Sequence, residues 1–99
     1  WKSQMAVKIF IKRFIPPDQS GQLMPLFKNL RSLAMGQPGY ISGETLHSIH
    51  NPGEIVVIST WQTVENWRNW VAHKERLKIQ GQIDMLLGEK TEYEVYQYG

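Results

Sequence analysis

The sequence contains no cysteine among its 99 residues. This absence excludes a disulfide framework, a thiolate nucleophile and a metal site built on sulfur. The compartment stays open on this ground, with the cytoplasm favoured.

Long apolar runs and clusters of one charge sign are also absent. No run approaches the roughly 18 apolar residues that a membrane-spanning helix needs, and the opening WKSQM lacks the apolar segment of a signal peptide. The 11 Lys and Arg residues nearly balance 9 Asp and Glu, and they are scattered. We therefore expect neither a membrane nor a nucleic-acid partner. If Met5 is the native start, residues 1–4 are a tag remnant or an N-terminal extension.

Hydrophobic residues instead recur with the short periods of strands and helices. Residues 5–15, MAVKIFIKRFI, alternate as a strand does and carry hydrophobic side chains on both faces. Leucines at three- and four-residue steps then predict a helix that ends at Met35, with Asp18 or Ser20 as its N-cap. Pro25 fits this helix only if it lies in the first turn.

The second half of the chain predicts a hairpin, a broken helix and a last strand. The hairpin joins Tyr40–His50 to residues 54–61 through the turn NPGE. Thr63 is a candidate N-cap for the helix that follows, which breaks at His73. The alternation in TEYEVYQY predicts the last strand.

The predicted order is therefore β-α-β-β-α-β, a single α+β domain over residues 5–99. This order is that of ferredoxin-like folds, in which helices cover one face of a four-stranded antiparallel sheet. Because the strands are apolar on both faces, we expect the open sheet face to be covered by a second copy in a homodimer.

Three segments, QPGYISGETL, VISTWQTVENWRNW and YEVYQ, resemble the antibiotic biosynthesis monooxygenase family of dimeric α+β barrels. The resemblance covers most of residues 5–98 and implies the same fold for this chain. The family includes cofactor-free quinone-forming oxygenases, haem-degrading enzymes and members with no assigned activity. The resemblance therefore implies the fold more firmly than the reaction.

In the cofactor-free oxygenases of this family, an Asn and a Trp four residues apart on the second helix face a cavity. Asn66 and Trp70 have this spacing, so the resemblance implies that they are catalytic and substrate-binding residues. Four residues make about one helical turn, which lets both N–H groups address one phenolate or reduced-oxygen species. The family's other relay residues are not matched, since Arg76 stands where an aromatic hydroxyl is expected and Lys90 lies near an arginine position.

The resemblance argues against haem degradation. The haem-degrading relatives carry an iron-binding His ten positions after the Trp and an Asn in the first strand. Gln80 stands ten positions after Trp70, and the predicted first strand has no Asn. A glutamine side chain is not an ordinary haem ligand.

Several aromatic residues and histidines have a structural interpretation beside a functional one. Trp67 lies on one helical stripe with neighbouring valines and is predicted to be core, whereas Trp70 is about 60° away at the edge of that stripe. His47 is a candidate substrate-binding residue, with a place in the lining of a barrel or at an interface. His73 is a candidate substrate contact, and its alternative role is to cap the second half of the broken helix. The histidines lack close acidic partners, so we expect no metal site. The resemblance to the cofactor-free oxygenases implies that no cofactor is needed.

Together these observations predict a cofactor-independent monooxygenase that acts on a small aromatic or phenolic compound. The alternative is a non-catalytic dimer that binds a small ligand or is associated with stress. A haem-binding protein is the least supported function. The sequence by itself does not decide whether the protein is an enzyme.

Overall fold

The computed structural model describes residues 5–98, which form one sheet with helices on one face. Residues 1–4, predicted above to be a tag remnant or an extension, and residue 99 lie outside the described residues. A short 3₁₀ turn, Pro17–Gln19, precedes the first helix. The elements in chain order are β1 (Val7–Phe14), α1 (Ser20–Met35), β2 (Tyr40–His47), β3 (Glu54–Trp61), α2 (Val64–Val71), α3 (Lys74–Leu87) and β4 (Glu94–Gln97).

This order confirms the predicted fold class, with the last helix broken in two at His73. The strands lie in the order β2-β3-β1-β4, and every neighbouring pair is antiparallel. That arrangement is ferredoxin-like. Within residues 5–98, none of the helices combines the length and the apolar character that crossing a membrane requires.

The predicted hairpin forms, although β2 ends at His47 rather than His50. Ser48 turns the chain out of the ladder, because its Oγ accepts the backbone N–H groups of His50 and Asn51 at 3.2 and 2.9 Å. The Asn51 carbonyl then accepts the Glu54 N–H at 3.1 Å and closes the turn.

The start of α1 differs from the prediction. Its N-cap is Gln19, which makes no side-chain capping bond, and not Asp18 or Ser20. The 3₁₀ turn replaces a side-chain cap, since the Gln19 N–H already donates to the Pro16 carbonyl at 3.0 Å. Pro25 lies in the second turn and not the first. Because proline has no backbone N–H, the carbonyl four residues earlier lacks its helical hydrogen bond, and this part of the helix surface is exposed to water.

The core lies between the sheet and the helices. Strand alternation directs Val7 and Ile9 of β1, together with Ile55 and Trp61 of β3, to this inner face, and all four are buried. The helices add Leu23, Ala34, Trp70 and Ile83. The outer sheet face carries the partly or largely exposed hydrophobic side chains Phe10, Phe14, Leu46, Val56, Ile58 and Tyr96.

Candidate functional site

A cavity of about 360 Å³ lies between the helices and the inner face of the sheet. Its size falls in the range of small-molecule sites, roughly 300–1,000 Å³. Its walls are rich in aromatic rings, which suits a flat aromatic ligand. The aromatic lining residues are Phe27, Tyr40, Trp61, Trp67, Trp70 and Tyr93.

Trp70 reaches the cavity from α2 and is held there by the core. Its ring stacks on that of Trp61, with centroids 6.2 Å apart and planes inclined by 24°. Trp61 is fully buried, and its indole N–H donates to Ser59 Oγ at 3.1 Å. The Trp70 indole thus has a fixed orientation beside the space that a ligand would fill.

Trp67 was predicted to be core and Trp70 to lie at the edge of the core stripe; Trp67 does pack against the core, but Trp70 is the more buried of the two. Trp70 is 9% exposed, whereas Trp67 is half-buried and meets the Tyr93 ring edge-on at 5.6 Å. The two indoles are only about 60° apart around the helix. The contact with Trp61, which the helical period does not reveal, decides which of them is covered.

Asn66 lies in the first turn of α2, outside the set of residues that line the cavity. The Thr63 hydroxyl donates to Asn66 Oδ1 at 2.8 Å, and Thr63 Oγ1 accepts the Asn66 backbone N–H at 3.1 Å. This confirms Thr63 as the N-cap. The Asn66 side chain also packs on Gly39, whose φ of +83° and close approach leave no room for a Cβ.

The structure separates the two candidate histidines. His47 lines the cavity from the end of β2. His73 caps α3, because its Nδ1 accepts the Glu75 N–H at 3.2 Å, and its ring centroid lies 6.0 Å from that of Trp70. In the part of the chain that the structure describes, no three His, Asp or Glu side chains are grouped so as to hold a metal ion.

Three buried polar residues in the cavity wall were not selected from the sequence. Arg13, Arg76 and Gln80 are only 6, 4 and 7% exposed. Strand alternation could have indicated that Arg13 faces the core, because it places this residue on the same sheet face as Val7 and Ile9. In α3, Arg76 and Gln80 lie one turn apart and so share a face of the helix.

Hydrogen bonds connect Gln80 to the last turn of α3 and to the segment that follows this helix. Gln80 Nε2 donates to Asp84 Oδ1 at 2.9 Å and to Thr91 Oγ1 at 2.7 Å. The Thr91 hydroxyl in turn donates to Asp84 at 2.8 Å. The amide of Gln80, ten positions after Trp70, is therefore engaged in a hydrogen-bond network within the protein.

The comparisons with known proteins agree with this fold. The family model for antibiotic biosynthesis monooxygenase matches residues 5–82. None of the curated proteins matches the chain.

Similar solved structures include a conserved protein from Methanosarcina mazei Go1, with a TM-score of 0.87 and 18% identity over 97% of this chain and 95% of that one. A mutant of SnoaB, a cofactor-independent oxygenase from Streptomyces nogalater, has a TM-score of 0.82 and 15% identity over 94% of this chain and 92% of that one. Rv0793 from Mycobacterium tuberculosis has a TM-score of 0.78 and 18% identity, covering 91% of each chain. Identities this low show a shared fold and not a shared reaction. The family model, which spans most of the sequence, shows that the chain belongs to the antibiotic biosynthesis monooxygenase family.

Proposed function

We propose that this protein is a cofactor-independent monooxygenase that acts on a small aromatic or phenolic compound. The observation that carries the proposal is the cavity of about 360 Å³ with six aromatic side chains in its wall. Membership of the monooxygenase family supports the reaction class. The fold shared with SnoaB, which is a cofactor-independent oxygenase, supports it further.

In the proposed reaction the substrate supplies the electrons itself. An anthrone-like compound loses a proton from its CH₂ group, and the resulting anion transfers electrons to O₂. One oxygen atom becomes the new carbonyl of the product and the other leaves as water, so substrate and O₂ balance without an external reductant. The protein contributes by positioning the substrate and stabilising its negative charge.

Trp70 donates its indole N–H to the substrate oxyanion in this proposal, from the orientation that its stacking on Trp61 imposes. In the same proposal Asn66, although it lies outside the cavity lining in this structure, assists through its amide nitrogen, since its Oδ1 accepts the Thr63 hydroxyl. His47 contacts the substrate from the cavity wall. His73, whose ring lies beside that of Trp70, is a further substrate contact in this proposal.

Oxygen uptake in the presence of an anthrone- or quinol-like compound tests this proposal. Trp70→Phe keeps most of the packing volume and deletes the N–H, so we expect kcat/KM to fall by about 10- to 150-fold. Asn66→Ala should lower it too, without adding fully to the first change, because both donors address one oxygen. Asn69→Ala is the control, since Asn69 is exposed on the same helix.

Full turnover in Trp70→Phe would remove Trp70 from the mechanism. A wild-type protein that takes up no oxygen with any of these compounds would overturn the monooxygenase function itself.

A non-catalytic dimer that binds a small ligand or is associated with stress is the second candidate. The position of Asn66 favours it, because this side chain is bonded to the helix cap and lies outside the cavity lining. Calorimetry distinguishes the two functions. Binding of the same aromatic compounds without oxygen uptake is the result that this second function predicts.

We also propose that two copies pair through the outer sheet face. This face presents Phe14, Leu46 and Tyr96, which are 54, 51 and 55% exposed, beside the partly buried Val56 and Ile58. Hydrophobic side chains clustered on one sheet face are typical of an interface. As a separate proposal, we place the protein in the cytoplasm.

A further inference from the structure

Two arginines in the cavity wall are buried to an extent that is unusual for this residue type. Arg13 comes from β1 and Arg76 from α3, and their exposures are 6 and 4%. Both side chains line the same aromatic cavity. A buried guanidinium is costly unless other groups compensate its charge.

The protein satisfies these guanidiniums mainly with neutral groups. Arg76 Nη1 donates to the Val71 carbonyl at 2.9 Å, and its Nη2 donates to the Tyr93 hydroxyl. Arg13 Nη1 donates to Thr91 Oγ1 at 3.1 Å, while its Nε is buried without a hydrogen-bond partner. One buried donor of Arg13 is therefore left unused by residues 5–98.

The charges around the pair do not balance. Among residues 5–98 the ion pairs are Lys12 with Glu54 and Arg68 with Glu65, so neither buried arginine has a carboxylate in direct contact. Asp84 is the acidic group that acts on both arginines, and its Oδ1 accepts hydrogen bonds from Gln80 and Thr91. Two buried positive charges thus share one nearby negative charge.

The pKa of both arginines is lowered, chiefly because the guanidinium groups are buried. Burial lowers the pKa of Arg13, and Asp84 partly restores it. Burial also lowers the pKa of Arg76, where Asp84 raises it and the charge of Arg13 lowers it again. The remaining charged residues that line the cavity are Lys28, Arg31 and Glu44, which add one further net positive charge.

Aromatic rings hold the two guanidiniums in place without neutralising them. The Arg13 guanidinium lies 5.0 Å from the centroid of the Phe27 ring, and that of Arg76 lies 5.5 Å from the Tyr93 ring and 6.0 Å from the Trp70 ring. Such contacts orient a cation. The cavity therefore combines aromatic walls, which suit a flat ring, with a fixed positive region.

We propose that Arg13 and Arg76 form an anion-binding region in the aromatic cavity and select ligands whose ring carries an anionic oxygen. This inference rests on the proposed function, because it assumes that the aromatic cavity is the ligand site. Carboxylates and phenolates share the required chemistry. A charged oxygen would accept from guanidinium donors and supply the missing negative charge.

Calorimetric titration with 2-naphthoate and 2-naphthamide tests the proposal. The two compounds have nearly the same shape, and only the first is charged at pH 7. We expect the carboxylate to bind about tenfold tighter or more, the difference that one hydrogen bond to a charged group makes. In parallel, 4-nitrophenol tests the phenolate, since its ionised form absorbs visible light and the protein should increase that form at fixed pH.

Variants assign the effect to the arginines. Arg13→Gln and Arg76→Gln should each reduce the preference for the charged compound, whereas Arg68→Gln, the same change at an exposed helix position, should retain it. Thermal melts check that each variant folds. If a glutamine variant does not fold, Arg13→Lys or Arg76→Lys keeps the positive charge and should retain part of the preference, with the wild-type comparison of the two naphthalene compounds still decisive.

The outcomes separate this inference from the proposed function. Preference for only one kind of anion supports the inference and identifies the ligand group. Equal binding of the charged and neutral compounds overturns the inference and leaves the aromatic ligand site in place, and so does a preference that persists without the arginines. Failure of all three compounds to bind overturns both. Anion preference without oxygen uptake from any substrate supports the inference and removes the monooxygenase reaction.

Discussion

Trp70 and Trp67 lie three residues apart on α2, yet they occupy different surroundings. Trp70 covers the fully buried Trp61, while Trp67 is half-buried against Tyr93. We expect Trp70→Ala to lower the free energy of unfolding by about 3–5 kcal/mol, because it removes a large side chain from the core. Trp67→Ala should lower it by less. Urea unfolding of the two variants measures both values.

Trp70→Phe is the control for this comparison, since it should still fold while it loses the indole N–H and only a part of the buried ring. An equal or larger loss of stability in Trp67→Ala would contradict the assignment of Trp70 to the core. It would also weaken the argument that packing on Trp61 orients the Trp70 indole toward the cavity.

The helix α3 brings Arg76 and Gln80 to the cavity. The glycine inside this helix and the glycine that ends it should have opposite effects on stability. Gly81 lies inside the helix with open space around it, whereas Gly88 ends the helix with a φ of +73° and donates its N–H to the Asp84 carbonyl at 2.9 Å. Gly81→Ala should therefore stabilise the protein by about 0.5–1 kcal/mol. Gly88→Ala should destabilise it by about 1–2 kcal/mol, because the left-handed conformation is strained for alanine.

Thermal and urea unfolding of these two glycine variants give the sign of each effect. The substitution is the same in both, so each is the control for the other. Changes of the same sign would show that the conformation at the end of α3 does not limit its stability.

The whole molecule is a two-layer structure with one covered and one uncovered sheet face. If two copies pair through the uncovered face, sedimentation should show a dimer at micromolar concentration. Leu46→Glu should shift the protein to monomers, because it places a charge within the proposed interface. Met85→Glu is the matched control, since Met85 is 83% exposed on α3, away from that face.

A wild-type monomer at this concentration would contradict the proposed pairing. A dimer that dissociates with Met85→Glu and persists with Leu46→Glu would place the interface on the helices instead.

Local patterns in the sequence determined the order and type of the elements. Strand alternation, the turn after His50 and the N-cap at Thr63 depend on neighbouring residues, and the structure confirms the hairpin and the cap. Boundaries that depend on contacts between neighbouring elements were less predictable. The start of α1 is an example, because the 3₁₀ turn between β1 and α1 takes the place of a side-chain cap.

Only the tertiary structure decided which side chains line the cavity. Helical spacing placed Asn66 and Trp70 on one side of α2, but the fold brings Trp70 to the cavity and holds Asn66 at the helix cap. Arg13 and Arg76 are distant in the chain and look like ordinary surface charges in the sequence. Both line one cavity because the fold closes it between the inner face of the sheet and the helices, and burial of a charge depends on what covers it rather than on its neighbours in the chain.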